Sequence, residues 1–265
     1  MKVKKLLSLV VIASIIVLSN NNIFAQNLWD ESVQIAKSYN GQKGYGSSGI
    51  LDCEEYLKHK HKGNVNLVSS KNIELIDIPQ IEFSNGSMEG NCCITAITRL
   101  INYYLVNKEI QIADENVEEI YNRVREIAIN KYNYIPKNGL KMMSIKPLIE
   151  DVFEYYNYKV EVNLNPITWN FKEHIKKEID NNRPVILVNS MGFGYYRKHA
   201  LAICGYEMYN INKIKLLSAE NKEYSMIEVC DGWSYGTKFI DYNKFKHELQ
   251  NLTSMIISVS IGGKI

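Results

Sequence analysis

Apolar residues recur at helical spacing through the middle of this chain and then give way to short apolar runs. That switch of period is what most limits the fold. Ile94, Ile97, Leu100, Ile101 and Tyr104 share one face of a helix predicted over about 92–106, with Asn91, a good capping residue, directly before it. Val117, Ile120, Tyr121, Val124 and Ile127 make a second stripe, and Ile145, Leu148, Ile149, Val152 and Phe153 a third. A fourth helix over 170–181 carries Phe171, Ile175 and Ile179, and a turn is expected at 136–140. From there the runs 185–188, 200–206, 214–217, 224–230 and 255–261 are split by turn residues and read as strands. Helices followed by strands predict an α+β chain with an antiparallel sheet.

The N-terminal end is of another kind. Lys2, Lys4 and Lys5 precede an apolar run from Leu6 to Leu18, then polar Asn20 to Asn22 and the small Ala25. This is the layout of an export signal, and the run is short for a membrane span. No Cys sits near the expected cut, so a lipid anchor is not indicated. The chain is therefore divided into a signal peptide at 1–25, an N-terminal extension or short pro-segment at 26–75, and a domain at 76–265. Within the extension, 28–39 reads as a short amphipathic helix, 41–49 as a Gly- and Ser-rich connector, and 52–61 as a charged surface helix. Residues 64–79 alternate and read as one or two short strands. A secreted protein with no stable membrane insertion after processing is expected. The 265 residues suit one well-packed domain, and a formal net charge of +2 leaves no electrostatic footprint for nucleic acid.

Five cysteines are an odd number for an exported chain, which leaves an intermolecular partner or a free reactive thiol. Disulfides among Cys53, Cys93, Cys204 and Cys230 stay open. Cys92 opens the first buried helix, where unpaired N–H groups and the macrodipole favour a thiolate. An inert buried thiol is the alternative. Cys93 competes as nucleophile but is offset from the Ile94, Ile97, Ile101 line. Among the histidines, His59 and His61 lie in a Lys-rich surface helix and read as solvated, His174 sits on a helix beside charged residues, and His247 lies near the end of another helix. His199 differs, because it opens the apolar run His199-Ala200-Leu201-Ala202-Ile203 and a buried ring there needs a partner. That partner is either a main-chain carbonyl or a side chain. The run 224–230 ends at Cys230-Asp231-Gly232-Trp233, so in antiparallel neighbours Asp231 falls beside His199. A carboxylate there would orient the imidazole, and Trp233 would roof the pair. Asp231 as a plain turn residue, and Trp233 as a core residue, are the competing readings.

These residues resemble a known group. Asn91-Cys92-Cys93-Ile94-Thr95-Ala96 is similar to the nucleophile helix of bacterial papain-like cysteine peptidases, in which Cys-x-x-Thr-Ala opens a long helix. Pro184-Val185-Ile186, the stretch from His199 to Gly205-Tyr206, and Asp231-Gly232-Trp233 resemble their later motifs, in the same order. The nearest type is the bacteriocin-leader-processing-like peptidases (family thirty-nine-like), with streptopain-like features. The resemblance covers roughly 76–261.

The resemblance implies a papain-like fold, with an N-terminal helical half carrying Cys92 and a C-terminal antiparallel sheet half carrying His199 and Asp231. It implies a cysteine-type peptidase acting on a peptide or protein through a thioester, with no metal or organic cofactor. Such families place a Gln amide before the nucleophile to hold the oxyanion. Here Gln80 is far upstream and Asn85 stands nearer the expected place, so Asn85 is the candidate donor beside the Cys92 N–H. Cys93 replaces the Gly common after the nucleophile. The same triad also serves peptidoglycan amidases and acyltransferases, and a secreted binding protein that keeps the fold without turnover is the other alternative.

Overall fold

The computed structural model describes residues 49–61, 63–77, 90–107, 115–136, 138–167, 171–189, 198–215, 218–233, 235–246 and 253–265. The expected signal segment, the helix at 28–39, Gln80, Asn85 and His247 lie outside these residues.

Helix α1 (Cys53–Lys60) starts where the Asp52 carboxylate accepts the Glu55 N–H at 2.9 Å. Helix α2 (Cys92–Asn107) is the predicted buried helix, and Ile94, Ile97, Leu100 and Ile101 are wholly buried. Helix α3 (Val117–Tyr132) opens with a reciprocal cap between Asn116 and Glu119 and buries Ile120, Tyr121, Val124 and Ala128. A 3-10 turn, Met142–Ser144, runs into α4 (Ile145–Tyr155), which buries the predicted stripe. The fourth predicted helix is a wider turn, Lys172–Lys176, running into a single α turn, α5 (Lys177–Asp180).

Among the described residues seven strands form one sheet: β1 (Asn64–Asn72), β2 (Tyr158–Pro166), β3 (Val185–Asn189), β4 (His199–Lys215), β5 (Ser218–Cys230), β6 (Lys238–Asp241) and β7 (Met255–Lys264). A short helix, α6 (Tyr242–Phe245), follows β6. Every pairing is antiparallel, in the order β2-β7-β3-β4-β5-β6, with β1 also on β4. The axis is β4. On one edge β3 pairs with residues 199–203 and β1 with 205–212, while β5 runs along the other.

Three strand expectations change. The runs 200–206 and 214–217 were expected as separate strands, yet one 17-residue strand carries its ladder through Glu207, Asn210 and Asn212, because β1 and β5 both pair there. Tyr158–Pro166 alternates with period two and docks on β7, and short β6 pairs with β5; neither was expected as a strand. Part of the 26–75 segment is built into the domain's sheet through β1.

One continuous core joins α2, α3 and α4 to β3, β4 and β7. A second cluster seats Cys53, Tyr56 and Leu57 of α1 on Tyr209, Ile211, Tyr224 and Met226. Burying such side chains stabilises the fold by about 1.5–3 kcal/mol each. The result is a helical half against an antiparallel sheet half, an α+β fold. Among the described residues no helix is long and apolar enough to cross a membrane.

Candidate active site

Cys92 is placed by the entry to α2. The Asn91 carbonyl accepts the first helical bond from Thr95 N–H at 2.9 Å, and its side-chain amide donates to the Tyr121 hydroxyl at 3.3 Å. Gly90 before it has φ +71°. A Cβ on Gly90 would lie 1.5 Å from the Pro136 carbonyl oxygen, so only glycine lets the predicted 136–140 turn pack against the helix start. That turn is closed by the N–H groups of Asn138 and Gly139 donating to the Ile135 carbonyl, both at 2.9 Å.

His199 is the first residue of β4, opposite Asn189 at the end of β3, and is 5% exposed. Lys198 before it takes a left-handed conformation, φ 47°, which is uncommon for a lysine and turns the chain into the strand at this point. The thiol of Cys92 and the imidazole of His199 share a hydrogen bond. They meet in a cleft of about 480 Å³ between the halves, where Gly139, Met142 and Ile145 face Val188 and Asn189.

The third expected residue is also there, but it holds the ring in a different way. His199 Nε2 lies 2.7 Å from the main-chain carbonyl oxygen of Asp231. The sequence predicts the Asp231 carboxylate as the group that orients the imidazole. Instead its Oδ1 accepts the Trp233 N–H at 2.9 Å and its Oδ2 pairs with Lys238 Nζ at 2.8 Å. A carbonyl can only accept, so Nε2 carries a proton and Nδ1 is left for the thiol. The two readings of His199, a main-chain partner or an acidic one, thus meet in one residue. Trp233 stacks on the imidazole with centroids 4.4 Å apart and planes 29° from parallel.

The electrostatics shift both groups towards their charged forms. Burial pushes the Cys92 thiol up, but the hydrogen bond and charge of His199, with the N–H groups of Ala200 and Cys93, outweigh it and hold the thiol below its ordinary 9.0. Burial pushes His199 down, and the hydrogen bond and charge of Cys92, then the carbonyl and charge of Asp231, bring it above its ordinary 6.5. Cys93 is the opposite case: burial and the adjacent Cys92 charge raise its thiol far above the ordinary value, and it lies in the core. A lowered thiol beside an imidazole is what a sulfur nucleophile needs.

Elsewhere, His59 is exposed on α1, while His61 is buried with its ring 4.5 Å from that of Tyr224. Cys53, Cys92, Cys93, Cys204 and Cys230 are all free thiols. Lys238 was missed from the sequence, where a lysine beyond Gly236-Thr237 carries no sign of burial. The Ala200 N–H against the sulfur was equally invisible, because a main-chain donor leaves no residue-type signal.

None of the curated proteins compared matches this sequence. The Peptidase_C39 like family matches residues 73–247, which spans Cys92, His199, Asp231 and Lys238, and the chain belongs to that family.

Proposed function

We propose that the protein is a secreted cysteine peptidase that hydrolyses peptide bonds with Cys92 as nucleophile, His199 as acid and base, and Asp231 as the residue that orients His199. The hydrogen-bonded thiol and imidazole inside the cleft carry this reading. The Cys92 thiolate attacks the scissile carbonyl, and the tetrahedral oxyanion is held by the Cys92 N–H and the Asn85 amide. The imidazolium of His199 gives its proton to the leaving amine, forming the thioester. Water, deprotonated by the same ring, then releases the acid and restores the thiol. Export follows from the signal-like stretch at 1–25.

The test is hydrolysis of a mixed protein substrate under reducing conditions, by wild type and Cys92→Ala, with and without a labelled amine. The variant is expected to lose activity by about a thousandfold or more. An equal rate in the variant removes Cys92 from the mechanism. Label appearing in the product in place of free acid makes the protein a transferase and rejects the peptidase reading.

A further inference from the structure

Behind the His199 ring sits a buried ion pair that the reaction itself does not use. Asp231 is 1% exposed and Lys238 4%, and the carboxylate and ammonium are 2.8 Å apart. Lysine is almost never this buried unless paired. Such a pair is a poor source of stability, since burying two charges offsets most of their attraction. Its location therefore matters more than its strength. Lys238 opens β6, opposite Val229 on β5, two residues before Asp231. The cover over it is specific. Ile50 bridges to Phe239 by two main-chain hydrogen bonds of 2.9 and 2.8 Å. Gly49, at φ +120°, lies so close that a Cβ on it would stand 2.9 Å from Lys238 Cβ.

We propose that Lys238 is a positioning residue for the proposed Cys92–His199 pair, anchoring the Asp231 side chain so that the Asp231 carbonyl stays on His199 Nε2, and offsetting the carboxylate's charge at the ring. The proposal rests on the reading of Cys92 and His199 as the reacting pair. With one oxygen on Lys238 and the other on the Trp233 N–H, the carboxylate is gripped at both ends. Its own main chain is thereby fixed, and that main chain holds the ring. Among the described residues, the charged and titratable groups about the ring include the Cys92 thiol from α2, Asp231 after β5, Lys238 from β6, and Lys198 at the cleft; Tyr134 lies near the thiol and Trp233 covers the ring face.

The test reads His199 directly, by following its ring signals with pH in isotope-labelled protein. Assignment comes from the signals lost in His199→Ala. Peptide hydrolysis is measured alongside. Lys238→Met keeps the stem and removes the charge, so the full field of the carboxylate falls on the ring. The His199 midpoint is expected to rise by about one pH unit. Hydrolysis should drop roughly ten- to hundredfold as the ring loses its fixed position. Lys238→Arg should keep the wild-type midpoint, and the neutral pair Asp231→Asn with Lys238→Met should return it towards wild type. Should Lys238→Met not fold, Asp231→Asn alone is read: with the lysine charge left against a neutral amide, the midpoint must fall. An unmoved His199 midpoint in whichever of the two single variants folds, or a double variant no nearer wild type than Lys238→Met, overturns the proposal. If wild type hydrolyses no peptide, the His199 titration still decides the role of Lys238, and the peptidase reading fails by itself.

Discussion

At Cys92 two effects oppose each other, and the balance decides whether the sulfur can react. Burial favours the neutral thiol, while the imidazole and two main-chain N–H groups favour the thiolate, and the second set wins. At His199 the same contest ends with the ring raised above its ordinary value. The two titrations belong to the pair. The thiol loses its proton below its ordinary 9.0 and the imidazolium keeps its own above its ordinary 6.5, so both shifts widen the pH range open to the ion pair. Hydrolysis is therefore expected to follow a bell-shaped pH profile, and a rate that only rises through pH 9 would contradict the ion pair. Trp233 contributes through contact with the ring. Trp233→Ala should slow turnover roughly tenfold by admitting water to the pair, whereas Trp233→Phe, which keeps a stacking face, should lose much less. Comparing kcat for the two variants checks this.

The elements that carry the pair are joined by close packing. Gly90 is where α2 meets the 136–140 turn, and Gly90→Ala puts a methyl group into the Pro136 carbonyl. The left-handed backbone alone costs about 1–3 kcal/mol, and displacement of the turn adds to it. A urea melt should show that loss, with falling activity because Cys92 follows two residues later. Helices α2, α3 and α4 could be read from the sequence because each buries one stripe at a 3.6-residue period. The pairing of His199 with Asp231 could be read because antiparallel neighbours bring the start of one strand to the end of the next. What could not be read was set by partners: the full length of β4 depends on two neighbours, and the burial of Lys238 depends on β5 and on the 49–50 strap. The choice of the Asp231 carbonyl over its carboxylate is likewise a matter of register, which residue type does not encode. Cys204 and Cys230 show the same limit. They share a hydrogen bond across β4 and β5 and are sealed from solvent, yet are unbridged. Unfolding without reductant should release five titratable thiols, and three would mean a disulfide had formed.

For the whole molecule, the helical half supplies the sulfur, the sheet half the imidazole, and the shared core keeps the two in register. Leu100 is wholly buried in that core, so Leu100→Ala should lower stability by about 2–5 kcal/mol through lost burial and the cavity left behind. Chemical denaturation at a fixed slope measures it. The chemistry depends above all on contact between the Cys92 sulfur and the His199 ring, and the alkylation rate of Cys92 by iodoacetamide as a function of pH reads that contact without any substrate. Wild type should alkylate with a midpoint below the ordinary thiol value of 9.0, and His199→Ala should move the midpoint upward and slow the reaction at least about tenfold near pH 6. Identical profiles for the two proteins would mean that the ring does not act on the sulfur.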